Sequence, residues 1–210
     1  MNRTAMIGCA VVVGILLLVG VVLAISSVGV YNGLVDRDQA VDAQWGNVEN
    51  AYQRRADLVP NLVATVRGAA DFERGTLNDV VEARARVGQL TASPEMLENP
   101  EAFRRFEQAQ EALSSALSRL LVVVERYPEL QAVTAFRDLM VQLEGSENRI
   151  AVERRRYNEL ARDYNAAVRR VPAAWFVRLL GWDFDPKVYF ESRPGADVVP
   201  EVDFTAPAGE

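Results

Sequence analysis

The longest regular pattern of apolar positions lies in residues 129–171, which contain no proline. From residue 133 onward, twelve positions follow alternating steps of three and four residues, and ten of the twelve are apolar. A repeat of about 3.5 residues places such side chains on one face of a long helix, which other helices must cover. The positions of this apolar stripe are Val133, Phe136, Met140, Leu143, Glu147, Ile150, Arg154, Tyr157, Ala161, Tyr164, Val168 and Val171.

Three further amphipathic helices are predicted before this one. The first covers residues 31–57, the second covers residues 60–89, and the third begins at Pro100 after a loop over residues 91–99. Pro60 is expected to end or kink the first helix, because proline lacks a backbone N–H and crowds the preceding turn. Four amphipathic helices with short connections predict an all-α protein with an antiparallel up-and-down four-helix bundle, whose fourth helix returns toward the start of the first.

Residues 5–25 form an uncharged apolar run of 21 residues. At about 1.5 Å per residue, this run spans roughly 30 Å, the thickness of the hydrocarbon core of a bilayer. A cleaved signal peptide and a lipoprotein signal around Cys9 are the rival interpretations, but a signal peptide has a shorter apolar region and a lipoprotein signal has it before the cysteine. We therefore predict a single-pass protein of the cell membrane.

The domain organisation follows from these patterns. Residues 1–30 are predicted to be a transmembrane anchor, residues 31–191 a helical bundle with a terminal amphipathic segment, and residues 192–210 a disordered acidic tail. The basic residue before the apolar run is Arg3, whereas Arg37 follows it between two aspartates. This count favours placing the bundle on the extracytoplasmic side.

The segment after the fourth helix combines aromatic and basic residues. Trp175, Phe176, Arg178 and Trp182 fit a helix that lies in the lipid headgroup region. A short helix that caps the open end of the bundle is the alternative, and these residues fit it slightly better. The two alternatives are compatible with each other.

Three charged residues fall on the apolar faces of the predicted helices: Arg55, Glu147 and Arg154. A charge that faces a bundle core is costly unless it is paired and hydrogen-bonded. We interpret these residues as a buried polar layer that fixes which helices meet and in what register. The alternative is a ligand or ion pocket between helices.

Composition narrows the function further. The chain has no histidine and one cysteine, so the commonest general base, the commonest metal ligand, intrachain disulfides and thiolate zinc sites are all missing. With Arg3 set aside, 22 basic and 29 acidic residues leave a net charge of −7 after residue 30. Because nucleic-acid binding needs clustered positive charge, no nucleic-acid partner is expected. We predict neither an enzymatic activity nor a cofactor or metal.

Several motifs together resemble the LemA family of bacterial membrane proteins. Residues 54–63 read Arg-Arg-Ala-Asp-Leu-Val-Pro-Asn-Leu-Val, and residues 147–151 read Glu-Asn-Arg-Ile-Ala. At residues 71–73 the chain has Asp-Phe-Glu, where the family more often has a histidine before the glutamate. Any histidine-dependent role at that place is therefore excluded here. The remaining matches are Tyr31 to Val35, Arg154 to Asn158, Tyr164-Asn165, Gly181-Trp182 and Tyr189 to Glu191.

The resemblance implies an N-terminal transmembrane helix and an antiparallel helical bundle, in a family for which no enzymatic activity is established. It also implies two roles, because some relatives act in magnetosome membrane biogenesis and others are encoded beside an HtpX-type membrane protease. Our leading expectation is a membrane-anchored scaffold or interaction protein of the bacterial cell envelope. The alternative is an adaptor or regulator of an envelope protease. The expected partners are the lipid bilayer and other proteins, with a membrane protease and further copies of the chain as the candidates.

Overall fold

A computed structural model describes residues 3–68, 73–90 and 93–191. All regular secondary structure in these ranges is helical. The elements are α1 (Arg3–Arg67), α2 (Arg74–Gly88), a short 3₁₀ helix (Pro94–Glu98), α3 (Pro100–Val124), α4 (Pro128–Ala132), α5 (Thr134–Arg169) and α6 (Ala173–Leu180). The predicted acidic tail, residues 192–210, lies outside the described residues.

Helix α1 joins the predicted anchor to the rest of the protein without interruption. Its 65 residues make a helix about 100 Å long. The large apolar side chains along its N-terminal part are exposed, as at Leu17 (67%) and Ile25 (70%). The described part of the chain contains one helix that is long and apolar enough to cross a membrane, and that helix is α1.

The predicted end of the first helix at Pro60 is wrong. Helix α1 continues through Pro60 to Arg67, so α2 begins at Arg74 and not at residue 60. The missing N–H of Pro60 leaves the carbonyl of Ala56, four residues earlier, without its usual donor. In the structure, Nε of Arg84 on α2 donates to that carbonyl at 3.0 Å. A side chain from a neighbouring helix thus replaces the backbone hydrogen bond that proline removes.

The third helix begins at Pro100, as predicted, and Asn99 caps it by accepting from the N–H groups of Glu101 and Ala102 at 3.1 Å each. The predicted loop before it contains the 3₁₀ helix. The predicted fourth helix is divided into α4 and α5 at Val133, whose backbone is extended and whose side chain is 41% exposed. Val133 therefore does not belong to the buried face.

The apolar stripe forms the buried face of α5 from Phe136 to Val168. Helix α5 packs along α1 in the opposite direction, since Gln44 contacts Glu153 while Arg55, further along α1, contacts Glu147. The core has two parts, one on each side of the ion pair between Arg55 and Glu147. The half nearer the apolar run surrounds Trp45, Phe103, Tyr157 and Phe190, and the distal half contains Val59, Val66, Val80, Leu113, Leu120 and Leu143.

Candidate functional site

Arg55 connects three helices from the centre of the protein. Its side chain is 1% exposed. Nη1 donates to Oε1 of Glu147 on α5 at 2.8 Å and to Oγ of Ser114 on α3 at 2.6 Å. Nη2 donates to the side-chain and main-chain oxygens of Gln110 on α3, at 2.5 and 3.2 Å. Gln110 interrupts the apolar face of α3, and this interruption is the feature of the sequence from which its role as a buried hydrogen-bond partner could be predicted.

Arg154 lies apart from this group. Its Nη2 donates to Oε1 of Glu107 at 3.0 Å and to the carbonyl of Glu191 at 3.2 Å, and its guanidinium lies 4.4 Å from the ring centroid of Phe190. Burial raises the pKa of Glu107, and the charge of Arg154 opposes that shift. The structure therefore brings Arg55 and Glu147 together and gives Arg154 other partners. Of the three predicted layer residues, only Arg55 is buried.

An open cleft of about 800 Å³ separates α3 from α5, and Arg55 and Arg154 both line it. Tyr52 and Arg55 of α1 form its floor, and the last described residues, 189–191, close one end. Both signs of charge line its walls. The wall residues are Glu107, Gln110, Glu111 and Ser114 of α3, and Glu147, Ile150, Ala151, Arg154, Arg155, Asn158, Glu159 and Arg162 of α5.

Residues 189–191 belong to a longer segment without helix or strand, residues 182–191, that we call the strap. Two asparagines of α5, seven residues apart, each bind the main chain of one strap residue through both ends of the side-chain amide. Asn165 accepts from the N–H of Lys187 and donates to its carbonyl, both at 2.8 Å. Asn158 makes the same pair with Phe190, both at 2.9 Å. Each asparagine side chain thus binds the strap main chain with one donor and one acceptor, the pair of groups that a neighbouring β-strand would offer.

Lys187, the one lysine of the chain, holds the strap on its other side. Its Nζ is 2.6 Å from Oε1 of Glu98, 2.9 Å from Oδ1 of Asp38 and 4.0 Å from Oδ1 of Asp42. Burial alone would lower the pKa of Lys187, but the hydrogen bonds with Glu98 and Asp38 outweigh burial and raise it above 10.5. Burial raises the pKa of Asp42, against the influence of Lys187. This ionic cluster was not predicted, because the strap has no periodicity that marks a buried position.

Phe190 fixes the end of the strap in an aromatic group. Its ring centroid lies 4.8 Å from that of Phe103, 5.4 Å from that of Tyr157 and 6.0 Å from that of Trp45. Trp45 and Tyr157 are 1% and 0% exposed. Trp45, Phe103 and Tyr157 are therefore core residues, and Phe190 joins this core to the end of the cleft.

The four residues predicted at the membrane interface divide into two pairs. Trp175 is 67% exposed, and Arg178 is exposed as well. Phe176 and Trp182 instead pack against each other, with ring centroids 5.8 Å apart, and Trp182 lies 5.1 Å from Tyr31 of α1. Phe176 and Trp182 therefore attach α6 to α1. Trp175 and Arg178 lie on a side of α6 that the described protein does not cover.

Comparison with known proteins gives the family and several relatives of this chain. The model of the LemA family matches residues 44–204. Two magnetosome proteins of Paramagnetospirillum magneticum, MamQ 1 and MamQ 2, are each 27% identical over 183 residues, covering 80% of this chain. The magnetosome protein MamQ of Magnetospirillum gryphiswaldense has the same identity and coverage. The chain spans just under two thirds, 66%, of the length of each of these relatives. The chain belongs to the LemA family.

Proposed function

We propose that this protein is a non-catalytic, membrane-anchored scaffold of the bacterial cell envelope that holds partner proteins at a fixed distance from the bilayer. The continuity of α1 carries this proposal, because one helix includes both the apolar run and the core of the helical domain. Arg55, at the floor of the cleft, is 30 residues beyond Ile25, or about 45 Å along the helix axis. A domain joined in this way cannot swing freely on a flexible linker.

We infer that α1, α2, α3 and α5 form the antiparallel up-and-down bundle that the sequence predicts. Ion pairs support opposite directions for α2 and α3, since Asp79 is 3.9 Å from Arg119, and Glu73, just before α2, is 3.4 Å from Arg126, just after α3. Such a bundle has long rigid faces and short connections, which suits the presentation of a binding surface.

The cleft is the surface that we assign to a partner, and its occupant is a protein segment with apolar residues and both signs of charge. The α5 wall runs from Glu147 to Arg162, about 22 Å, which accommodates four turns of helix. Arg155 and Glu159 on this wall are exposed, as is Glu111 opposite. Alternating charges at a partly solvated surface select a complementary partner more than they add affinity.

Site-specific photocrosslinking in native membranes tests this proposal. A photoreactive amino acid at Glu159 in the cleft is expected to give a discrete protein adduct that the same group at Glu82, exposed on α2, does not give. Arg155→Glu should abolish the Glu159 adduct, whereas the matched reversal Arg86→Glu on α2 should not. Equal adducts at both positions, or an adduct that survives Arg155→Glu, would overturn the assignment. Identification of the adduct as a membrane protease would make the scaffold a protease adaptor.

We further propose that the helical domain lies outside the cytoplasm, because positively charged residues favour the cytoplasmic side and Arg3 precedes the apolar run. Ser118 is exposed on α3 and provides a labelling position. In a Cys9→Ser background, Ser118→Cys should react with a membrane-impermeant maleimide in cells whose inner membrane is intact. Reaction only after that membrane is permeabilised would place the domain in the cytoplasm.

A further inference from the structure

Helix α6 lies beside α1 at the level where α1 leaves its apolar run. Trp182, directly after α6, has its ring centroid 5.1 Å from that of Tyr31, which in turn is 5.5 Å from Phe184. Tyr31 is six residues beyond Ile25, or about 9 Å along the axis of α1. If the apolar run fills the hydrocarbon core, this height corresponds to the lipid headgroups.

The side of α6 that faces away from the protein is apolar and exposed. Ala173 is buried, and Phe176 packs on Trp182, so these residues define the inner side. Trp175 and Leu179, one turn apart, lie on the outer side; with Val171 before the helix and Leu180 at its end, four large apolar residues are exposed within ten residues. They are Val171, Trp175, Leu179 and Leu180, with exposed fractions of 60%, 67%, 81% and 52%.

Three arginines lie close in sequence to these apolar residues. Arg169 is the last residue of α5, Arg170 follows it, Arg178 lies within α6, and all three are exposed. Within the described part of the chain, none of the three forms an ion pair. Exposed aromatic and aliphatic residues next to unpaired basic residues are the surface that binds in the interface of an anionic membrane.

We infer that α6 is a second membrane contact, which lies in the headgroup region of the leaflet that α1 leaves. Trp175, Leu179 and Leu180 are placed at the ends of the acyl chains, and Arg178 at anionic lipid phosphates. This inference rests on the membrane anchor of the proposed function and adds a second attachment point. Because α6 is attached to α1 through Trp182, two contacts with one bilayer restrict the tilt of the helical domain.

Lipid-borne quenchers test this arrangement in the full chain reconstituted in vesicles. Wild-type fluorescence is compared with that of Trp175→Phe, and the difference isolates Trp175. Quenchers near the headgroup end of the acyl chains should quench this difference strongly, and quenchers near the bilayer centre should quench it weakly. A difference signal that no lipid quencher reduces would overturn the inference. This result is also the one expected if a second copy of the chain or another protein covers Trp175.

A second measurement tests the role of the arginines and separates this inference from the anchor. The combined change of Arg169, Arg170 and Arg178 to glutamine should reduce Trp175 quenching in phosphatidylglycerol vesicles. The control Arg104→Gln, an exposed arginine on α3, should leave the quenching unchanged. Equal quenching in the two variants would refute the role of the arginines. Flotation with vesicles requires only the anchor in α1, so retained flotation without Trp175 quenching would refute only the α6 contact, and lost flotation would refute the anchor.

Discussion

The hydrogen bond from Arg84 to the carbonyl of Ala56 predicts a specific energetic coupling with Pro60. Arg84→Met removes the donor while keeping most of the apolar part of the side chain. In the wild type, the carbonyl then loses the one partner that replaces the N–H missing at Pro60. In a Pro60→Ala background, the backbone N–H of residue 60 is available to the same carbonyl, so the loss of Arg84 should matter little.

The magnitude follows from the type of hydrogen bond. A hydrogen bond from a charged donor contributes about 1.5–3 kcal/mol to stability, and Arg84 is exposed, which places its contribution at about 1–2 kcal/mol. For a chain of this size, 1 kcal/mol changes Tm by about 2–4 °C, so Arg84→Met should lower Tm by about 2–8 °C. Pro60→Ala alone should raise stability, because proline costs about 3 kcal/mol relative to alanine within a helix.

A double-mutant cycle measures this coupling. The four proteins, as full chains in detergent, are unfolded thermally and followed by circular dichroism and tryptophan fluorescence. Arg86→Met is the matched control, since Arg86 is exposed on the same helix and pairs with Glu82 at the surface. A change of less than about 0.5 kcal/mol is expected for this control. If Arg84→Met lowers Tm equally with and without Pro60, the explanation for the uninterrupted helix is wrong.

Three further predictions concern the strap and the contact between α1 and α5. Lys187→Met should destabilise the protein by about 2–3 kcal/mol in urea unfolding, because three partly buried carboxylates lose their cation, whereas Lys187→Arg should cost less. Asn158→Asp keeps the acceptor for the N–H of Phe190 but sets a carboxylate against its carbonyl, at a cost of about 1–3 kcal/mol. Limited proteolysis should then cut the strap faster, while Asn148→Asp, exposed on the same helix, should leave the rate unchanged. The pKa of Glu153 lies below 4.5, chiefly because its carboxylate accepts a hydrogen bond from Gln44 of α1. The stability that the ionised Glu153 contributes is therefore present above pH 4.5 and is lost as the pH falls through the lowered pKa. Between about pH 6 and pH 3, Glu153→Gln should therefore lose less stability than the wild type, and equal losses would contradict the assignment.

Apolar periodicity predicted the helices because burial in a helical domain repeats with the helix turn. It placed Phe136 to Val168 on the buried face of α5 correctly. It could not predict the course of the chain at Pro60, because the compensating donor, Arg84, lies 28 residues from Ala56 and on another helix. The division at Val133 has no proline or glycine to mark it, and nothing in the structure explains why it falls at that residue.

Polar positions were predictable only where they interrupt a periodic pattern. Arg55 and Glu147 stand on apolar faces of helices, and the structure pairs them at 2.8 Å. Arg154 stands on the same face as Glu147, yet its partners are Glu107 and the main chain of the strap. The strap is extended and has no repeat of its own, so its position depends on tertiary contacts that no local pattern encodes.

The strap also shows how recognition is divided between main chain and side chains. Asn158 and Asn165 bind N–H and carbonyl groups, which every residue except proline offers, so these contacts hold an extended chain without selecting its sequence. Selection comes from Lys187, which needs a site with carboxylates, and from Phe190, which needs the aromatic group around Trp45. Both asparagines, Phe190 and Trp182 belong to the motifs that carry the LemA resemblance. Part of that resemblance therefore lies in residues that form the strap or bind it to α5.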